Sequence, residues 1–220
     1  MTTDTQQRLK EIKQSFRLMM DGVTAQSMRN KGLDYHLNWG ASQAMLRDKA
    51  DEIGKDHDLA IALWKEDVRE CKILATMVMP ADTMEEDLVD LWMEQLRSQE
   101  IAELVSFNLW QYLPFAPVKA YEWIASDEPL RQLCGFHVLS RLFMNGQEPN
   151  ERGINEYLDQ MVAAVQSTSL AVRKAAYASA QHFGALGLVY QRLVDSALRT
   201  IERRFFCCFQ KKYYLCHQFN

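Results

Sequence analysis

Apolar side chains recur every three or four residues along most of this 220-residue chain, in segments bounded by helix-capping residues. In the segment 42–54, Ser42 occupies the position of an N-cap and Gly54 that of a terminator. The next such segment follows Asp67 and stops near Pro80. With only 9 Gly and 5 Pro, the chain lacks the turns of a sandwich or barrel. The sequence therefore predicts an all-α protein.

The predicted helices recur at intervals that indicate a repeat. One is predicted to open at Asp82, and the others to span residues 100–113, 117–125, 129–144, 150–165, 169–183 and 186–204. Four helices open with similar pairs of residues, separated by 33, 29 and 42 positions: Val68-Arg69, Ile101-Ala102, Leu130-Arg131 and Val172-Arg173. A single helix pair cannot bury its own apolar face, so neighbouring pairs must stack. This pattern predicts an α-solenoid of stacked antiparallel helix pairs, with an ordinary helical bundle as the alternative.

The predicted organisation is one helical-repeat domain over residues 1–204, in which residues 1–30 form an N-terminal helical cap. Residues 205–220 are aromatic and rich in cysteine without a clear period, and we predict a C-terminal tail there without assigning its structure. No apolar run approaches the ~20 residues that cross a bilayer, and the polar start lacks the apolar segment of a signal peptide. Five Cys without regular spacing do not predict a disulfide framework, so we expect a cytoplasmic location.

The charges are distributed unevenly. Residues 1–110 carry 13 basic and 20 acidic side chains, whereas residues 111–220 carry 12 and 9. From Ser167 onward there are eight basic and two acidic residues. A basic end on a protein of net charge −4 can form a local anion-binding face, although a solvated charged end is the alternative.

No metal or cofactor site is predicted. Cys207, Cys208, Cys216 and His217 lack the second close pair that a structural zinc site needs. The other histidines are scattered, and no Gly-rich phosphate loop or nucleophile elbow occurs.

The stretch 31–80 carries a family resemblance. Its matching elements, in order, are Trp39-Gly40, Arg47, Leu59-Ala60, Leu63-Trp64, Arg69-Glu70 and Ile73-Leu74-Ala75. They resemble the AlkD family of DNA alkylation-repair glycosylases, which are HEAT-like α-solenoids. The residue types suggest packing and capping positions rather than chemistry. The resemblance implies a protein that engages duplex DNA, including alkylated duplex DNA, on its concave face.

Active members of that family hydrolyse the bond between a cationic alkylated purine and its sugar. A carboxylate can stabilise the positive charge that develops on the sugar. The resemblance implies a Trp at the start of one helix and an Asp four residues later, where this chain has Ile101 and Val105. Val105 cannot supply that stabilisation. Glu103 is the nearest carboxylate and our candidate catalytic residue, although two positions along a helix turn it about 200° away.

The resemblance also implies nucleic-acid contacts. Arg131, Arg173 and Lys174 are candidates for phosphate contacts, with helix-start charges in solvent as the alternative. Tyr177 and Trp110 are candidate aromatic contacts, although packing in the core is the more common role of such residues in helices. The competing hypothesis is a non-enzymatic HEAT-repeat module that binds a protein partner, which the net negative charge favours.

Overall fold

A computed structural model describes residues 3–199 of the protein. Within this range the regular secondary structure is helical, apart from a single pair of residues, Leu37 and Val68, that bridge as in a parallel sheet. The α-helices are α1 (Thr3–Ser15), α2 (Gly22–Asn30), α3 (Gln43–Ile53), α4 (His57–Lys65), α5 (Arg69–Val78), α6 (Glu86–Glu94), α7 (Gln99–Asn108), α8 (Ala116–Ile124), α9 (Pro129–Met144), α10 (Glu151–Ala164), α11 (Leu170–Ala185) and α12 (188–199). The predicted all-α class is confirmed.

Short polar side chains fix where several helices begin. Ser42 Oγ accepts a hydrogen bond from the Met45 amide at 3.3 Å. Asn150 Oδ1 accepts one from the Gly153 amide at 2.8 Å. Each bond satisfies an amide that has no partner within its own helix. The amphipathic pattern and these caps together place α3 and α10 where the sequence indicated.

Two predicted boundaries were wrong. Asp82 does not open a helix but lies in a 3-10 turn, Ala81–Thr83, and α6 begins only at Glu86. The predicted helix 100–113 ends at Asn108, and a second 3-10 turn, Trp110–Tyr112, follows it. Tight 3-10 turns satisfy the same local hydrogen-bonding needs as helix ends, so sequence periodicity does not separate them from the helix proper.

The chain divides into two compact units, with the first extending to Ala116 and the second beginning at Pro117. In the first unit, α5 packs against α3, α4 and α7, and α1 packs against α4. In the second, α11 packs extensively against α9 and also contacts α10. The predicted tail 205–220 lies outside the described residues.

Tertiary hydrogen bonds in the first unit recur with a fixed offset. Four residue pairs that are 31 positions apart are joined in this way: His36 to Asp67, Trp39 to Glu70, Trp64 to Gln95, and Arg69 to Glu100. A repeated offset is the physical result of stacking one helical repeat on the next. The Trp64 and Trp92 rings stack with their centroids 4.0 Å apart, which anchors the same stack.

The core of the second unit is built from aromatic rings and one close helix approach. Tyr157 lies among Phe136, Phe143 and Phe183, with ring centroids 4.7–6.5 Å away. A Cβ placed on Gly135 would lie 2.8 Å from the Ala120 carbonyl oxygen, so α8 and α9 approach through a glycine. Among the described helices, none has the length and apolar character to cross a membrane.

Candidate nucleic-acid interface

The residues that carry the family resemblance form a buried polar network in the first unit. The Arg69 guanidinium donates to both carboxylate oxygens of Glu100, at 2.8 and 2.6 Å, and to Glu70 at 3.1 Å. It also donates to the Ala41 carbonyl at 3.0 Å. Arg69 is 2% exposed and Glu70 is fully buried. Burial by itself lowers the pKa of Arg69, but the bonds and charges of the two carboxylates outweigh it, so the pKa is raised.

The Glu70 carboxylate holds the loop that precedes α3. It accepts hydrogen bonds from the backbone amides of Trp39 and Ala41 at 3.2 and 3.3 Å. Between them, Gly40 has φ +73, and a Cβ there would lie 2.2 Å from the Asp21 carbonyl oxygen. Only glycine fits this position. The matching residues are therefore structural, as the sequence suggested.

The helix that would carry the family's catalytic pair is α7, and both positions are apolar and buried. Val105 is fully buried and Ile101 is 3% exposed. Of the carboxylates on α7, Glu100 is committed to Arg69, whereas Glu103 is partly exposed and accepts a hydrogen bond from Gln99 at 2.7 Å. No acidic group of α7 occupies the position that the family uses.

Trp110 lies in the 3-10 turn after α7 and has no exposed surface. Its indole ring packs in the core of the first unit. A contact with a nucleic acid at this residue would require the ring to leave that core.

Three of the predicted contact residues do come together on α11. Arg173, Lys174 and Tyr177 line one surface groove of ≈ 330 Å³. Lys174 is exposed and Tyr177 is 54% exposed. The Arg173 guanidinium is partly anchored, because it donates to the carbonyl oxygens of Ser167 and Thr168 at 2.6 and 3.2 Å. We call these three residues the α11 basic surface.

Arg131 lies at the same end of the second unit's helix pair as the α11 basic surface. Ser140 and His182 hydrogen-bond at 2.6 Å near the C-terminal ends of α9 and α11. Because the two helices pack extensively, contact between their C-terminal ends means that they run parallel. Their first turns, with Arg131 and Arg173, therefore lie at the opposite end together. The Arg131 side chain is 26% exposed and pairs with Glu128 at 2.8 Å.

The geometry offers cations beside an exposed aromatic ring, the combination that holds phosphates and contacts a nucleic-acid strand. In the described range, no group of three His, Cys, Asp or Glu side chains that could hold a metal ion is found. The Cys71 thiol is also inert, because burial raises its pKa to about 12.

Comparison with known proteins identifies the class. The sequence profile of a family described as DNA alkylation repair enzyme matches residues 12–180. The chain therefore belongs to the DNA alkylation repair enzyme family, which confirms the resemblance seen in the sequence. No curated protein sequence matches the chain.

A solved structure shares the fold. It is described as "A new family of proteins related to the HEAT-like repeat DNA glycosylases with affinity for branched DNA structures". It matches this chain with a TM-score of 0.75 and 17% identity, over 87% of this chain and 80% of its own. The fold is thus of the HEAT-like repeat kind, as predicted.

Proposed function

We propose that this protein binds DNA through the α11 basic surface, with Arg131 as a further phosphate contact, and that it does not cleave the glycosidic bond by the family's mechanism. Family membership supports a DNA partner. The observation that carries the proposal is the grouping of Arg173, Lys174 and Tyr177 in one groove on the basic half of the chain. Cations of this kind release counterions from the phosphate backbone when they bind.

The second part of the proposal rests on α7. Val105 is apolar and fully buried, so it can neither stabilise positive charge on a sugar nor orient a water molecule. Glu103 is the remaining candidate for a catalytic carboxylate. It lies two residues from Val105, on a different face of the same helix.

The binding experiment is a salt titration of fluorescence anisotropy with labelled duplex DNA and a labelled four-way junction. The junction is included because the structurally similar protein is described as having affinity for branched DNA. We expect the wild type to bind at low salt and to lose affinity steeply as salt rises. No binding at low salt to either DNA would contradict the proposal and favour the protein-interaction module, which the acidic first half of the chain suits.

The variant Arg173→Glu/Lys174→Glu tests the site. We expect at least about tenfold weaker binding and a salt slope reduced by about two, because two phosphate contacts are lost. Arg173 anchors a loop, so Lys174→Glu alone serves as a second variant that disturbs no hydrogen bond seen in the structure. The matched control is Lys31→Glu/Arg152→Glu, which makes the same charge change at two exposed residues that do not line this groove. Equal binding by the control and both test variants would rule out this surface.

A further inference from the structure

One side of the N-terminal helix carries polar residues that the proposed function does not use. Residues 1–20 contain four basic and two acidic side chains, whereas residues 21–110 contain nine and eighteen. The basic character of α1 therefore stands out against the acidic unit on which it packs. At the level of the whole chain, this local excess is hidden by the net charge of −4.

The basic residues of α1 and the 3-10 turn after it fall on one face. Five residues at helical spacing line a groove of ≈ 350 Å³: Gln6, Lys10, Lys13, Gln14 and Arg17. We call them the N-terminal basic stripe. The acidic residues Asp4 and Glu11 lie about 100° or more round the helix from Lys10, and Glu11 bonds Gln7 on that other side. The stripe itself therefore contains cations and amides but no carboxylate.

The three cations of the stripe differ in whether they form an ion pair. Lys13 forms an ion pair with Glu66, which does not line the groove. Lys10 and Arg17 are exposed, and neither forms an ion pair with any residue in the described part of the chain. Two cations with solvated heads are thus available to a ligand, and their charge is not neutralised by the protein.

The opposite wall of the groove is apolar and partly open. It is formed by Leu37, which is 41% exposed, and Trp39, which is partly exposed. The Trp39 backbone is held by Glu70, so the ring stands on a fixed loop. A row of cations and amides facing an aromatic ring suits an extended chain of phosphates whose sugars and bases have apolar surface.

The dimensions also fit such a chain. From Lys10 to Arg17 the stripe rises about 11 Å, counting an α-helical and a 3-10 part. One strand of a duplex carries a phosphate about every 3.4 Å along the helix axis, so a stripe lying along that axis would span about three phosphates. An acidic peptide would present carboxylates on flexible side chains and would gain nothing from the aromatic wall.

We propose that the N-terminal basic stripe is a second DNA-backbone contact surface, with Lys10 and Arg17 binding phosphates beside the Trp39 ring. This inference rests on the proposed function, since it assigns a second surface for the same partner. It gives the acidic first unit a direct part in DNA binding.

The test compares full-length variants by the same salt titration of anisotropy. For Lys10→Glu/Arg17→Glu we expect about tenfold weaker binding to duplex or junction DNA and a salt slope lower by about two. Lys10→Arg/Arg17→Lys should bind within about twofold of wild type, because charge is retained. The control Lys31→Glu/Arg152→Glu should also bind within about twofold of wild type. Thermal melting verifies that each variant is folded.

The outcomes separate this inference from the proposed function. If Lys10→Glu/Arg17→Glu binds like the control while Arg173→Glu/Lys174→Glu does not, the stripe is rejected and the α11 basic surface stands. If wild-type protein binds no DNA, both proposals fall. If polyglutamate displaces DNA from the Arg173→Glu/Lys174→Glu variant as well as unlabelled duplex does, the stripe recognises acidic polymers in general, and its assignment to phosphates is overturned.

Discussion

Arg69 is 2% exposed, and nearly all of its hydrogen-bonding capacity is directed at two carboxylates and one carbonyl. Its guanidinium binds Glu100, 31 residues further along the chain, and also neutralises the charge of Glu70. The Glu70 carboxylate in turn holds the loop around Gly40. A buried charge pair adds little stability over an apolar pair, but removal of one partner leaves the other charge uncompensated. At the scale of single residues, this network makes Arg69 a structural rather than a catalytic residue.

Replacement of Arg69 by Met should therefore destabilise the first unit by about 3 kcal/mol or more, because the Glu70 carboxylate stays buried without its cation. Chemical denaturation followed by circular dichroism measures the change. Arg69→Lys should recover only part of the loss, since an ammonium cannot make the two-pronged bond to Glu100. A loss below about 1 kcal/mol for Arg69→Met would show that Glu70 is satisfied by its amide donors alone.

Helix α7 shows how an element keeps its place in a fold while its chemistry changes. Ser98 caps it, with its hydroxyl oxygen accepting from the Ile101 amide at 3.3 Å, and Val105 packs in the core. Hydrophobic burial alone accounts for the apolar residues Ile101 and Val105 at the two positions where the resemblance implies a Trp and an Asp. The sequence predicted a helix over residues 100–113, whereas the burial of Val105 required the packing of α7 against α5.

The absence of a carboxylate at Val105 predicts the outcome of a base-release assay. Duplex DNA containing N7-methylguanine, incubated with the protein, should release base no faster than in buffer, because no group on α7 stabilises the sugar cation at the family position. Release is measured by chromatography of the free base. Release above buffer that Glu103→Gln abolishes, with folding intact, would instead establish Glu103 as the catalytic residue.

At the scale of the whole molecule, one buried histidine makes the stability of the protein depend on pH. His137 on α9 is mostly buried, and burial, aided by the charge of Arg141, lowers its pKa from 6.5 to about 4. At pH values between about 4 and 6.5, His137 is protonated in the unfolded chain but neutral in the folded protein. Stability contributed by neutral His137 is therefore fully present above about pH 6.5 and is lost as the pH falls towards 4.

Between about pH 7 and pH 5 the free energy of unfolding should thus fall by about 2 kcal/mol more in wild type than in His137→Gln. Denaturant titrations at both pH values measure this difference, and His182→Gln, on the neighbouring helix, is the matched control. Parallel pH profiles for wild type and His137→Gln would contradict the assignment.

The sequence by itself determined the helical class, most helix bounds, the family and the residues that pack and cap. It did so because helical periodicity and capping chemistry act over a few neighbouring residues. The tertiary structure decided which charges are available. In the folded protein Arg69 and Glu100 form an ion pair, and Val105 and Trp110 lie buried in the core. The tertiary structure left Arg173, Lys174 and Tyr177 in one groove and opened a second groove beside Lys10 and Arg17. Burial and pairing depend on contacts between residues far apart in the chain, and no local pattern contains them.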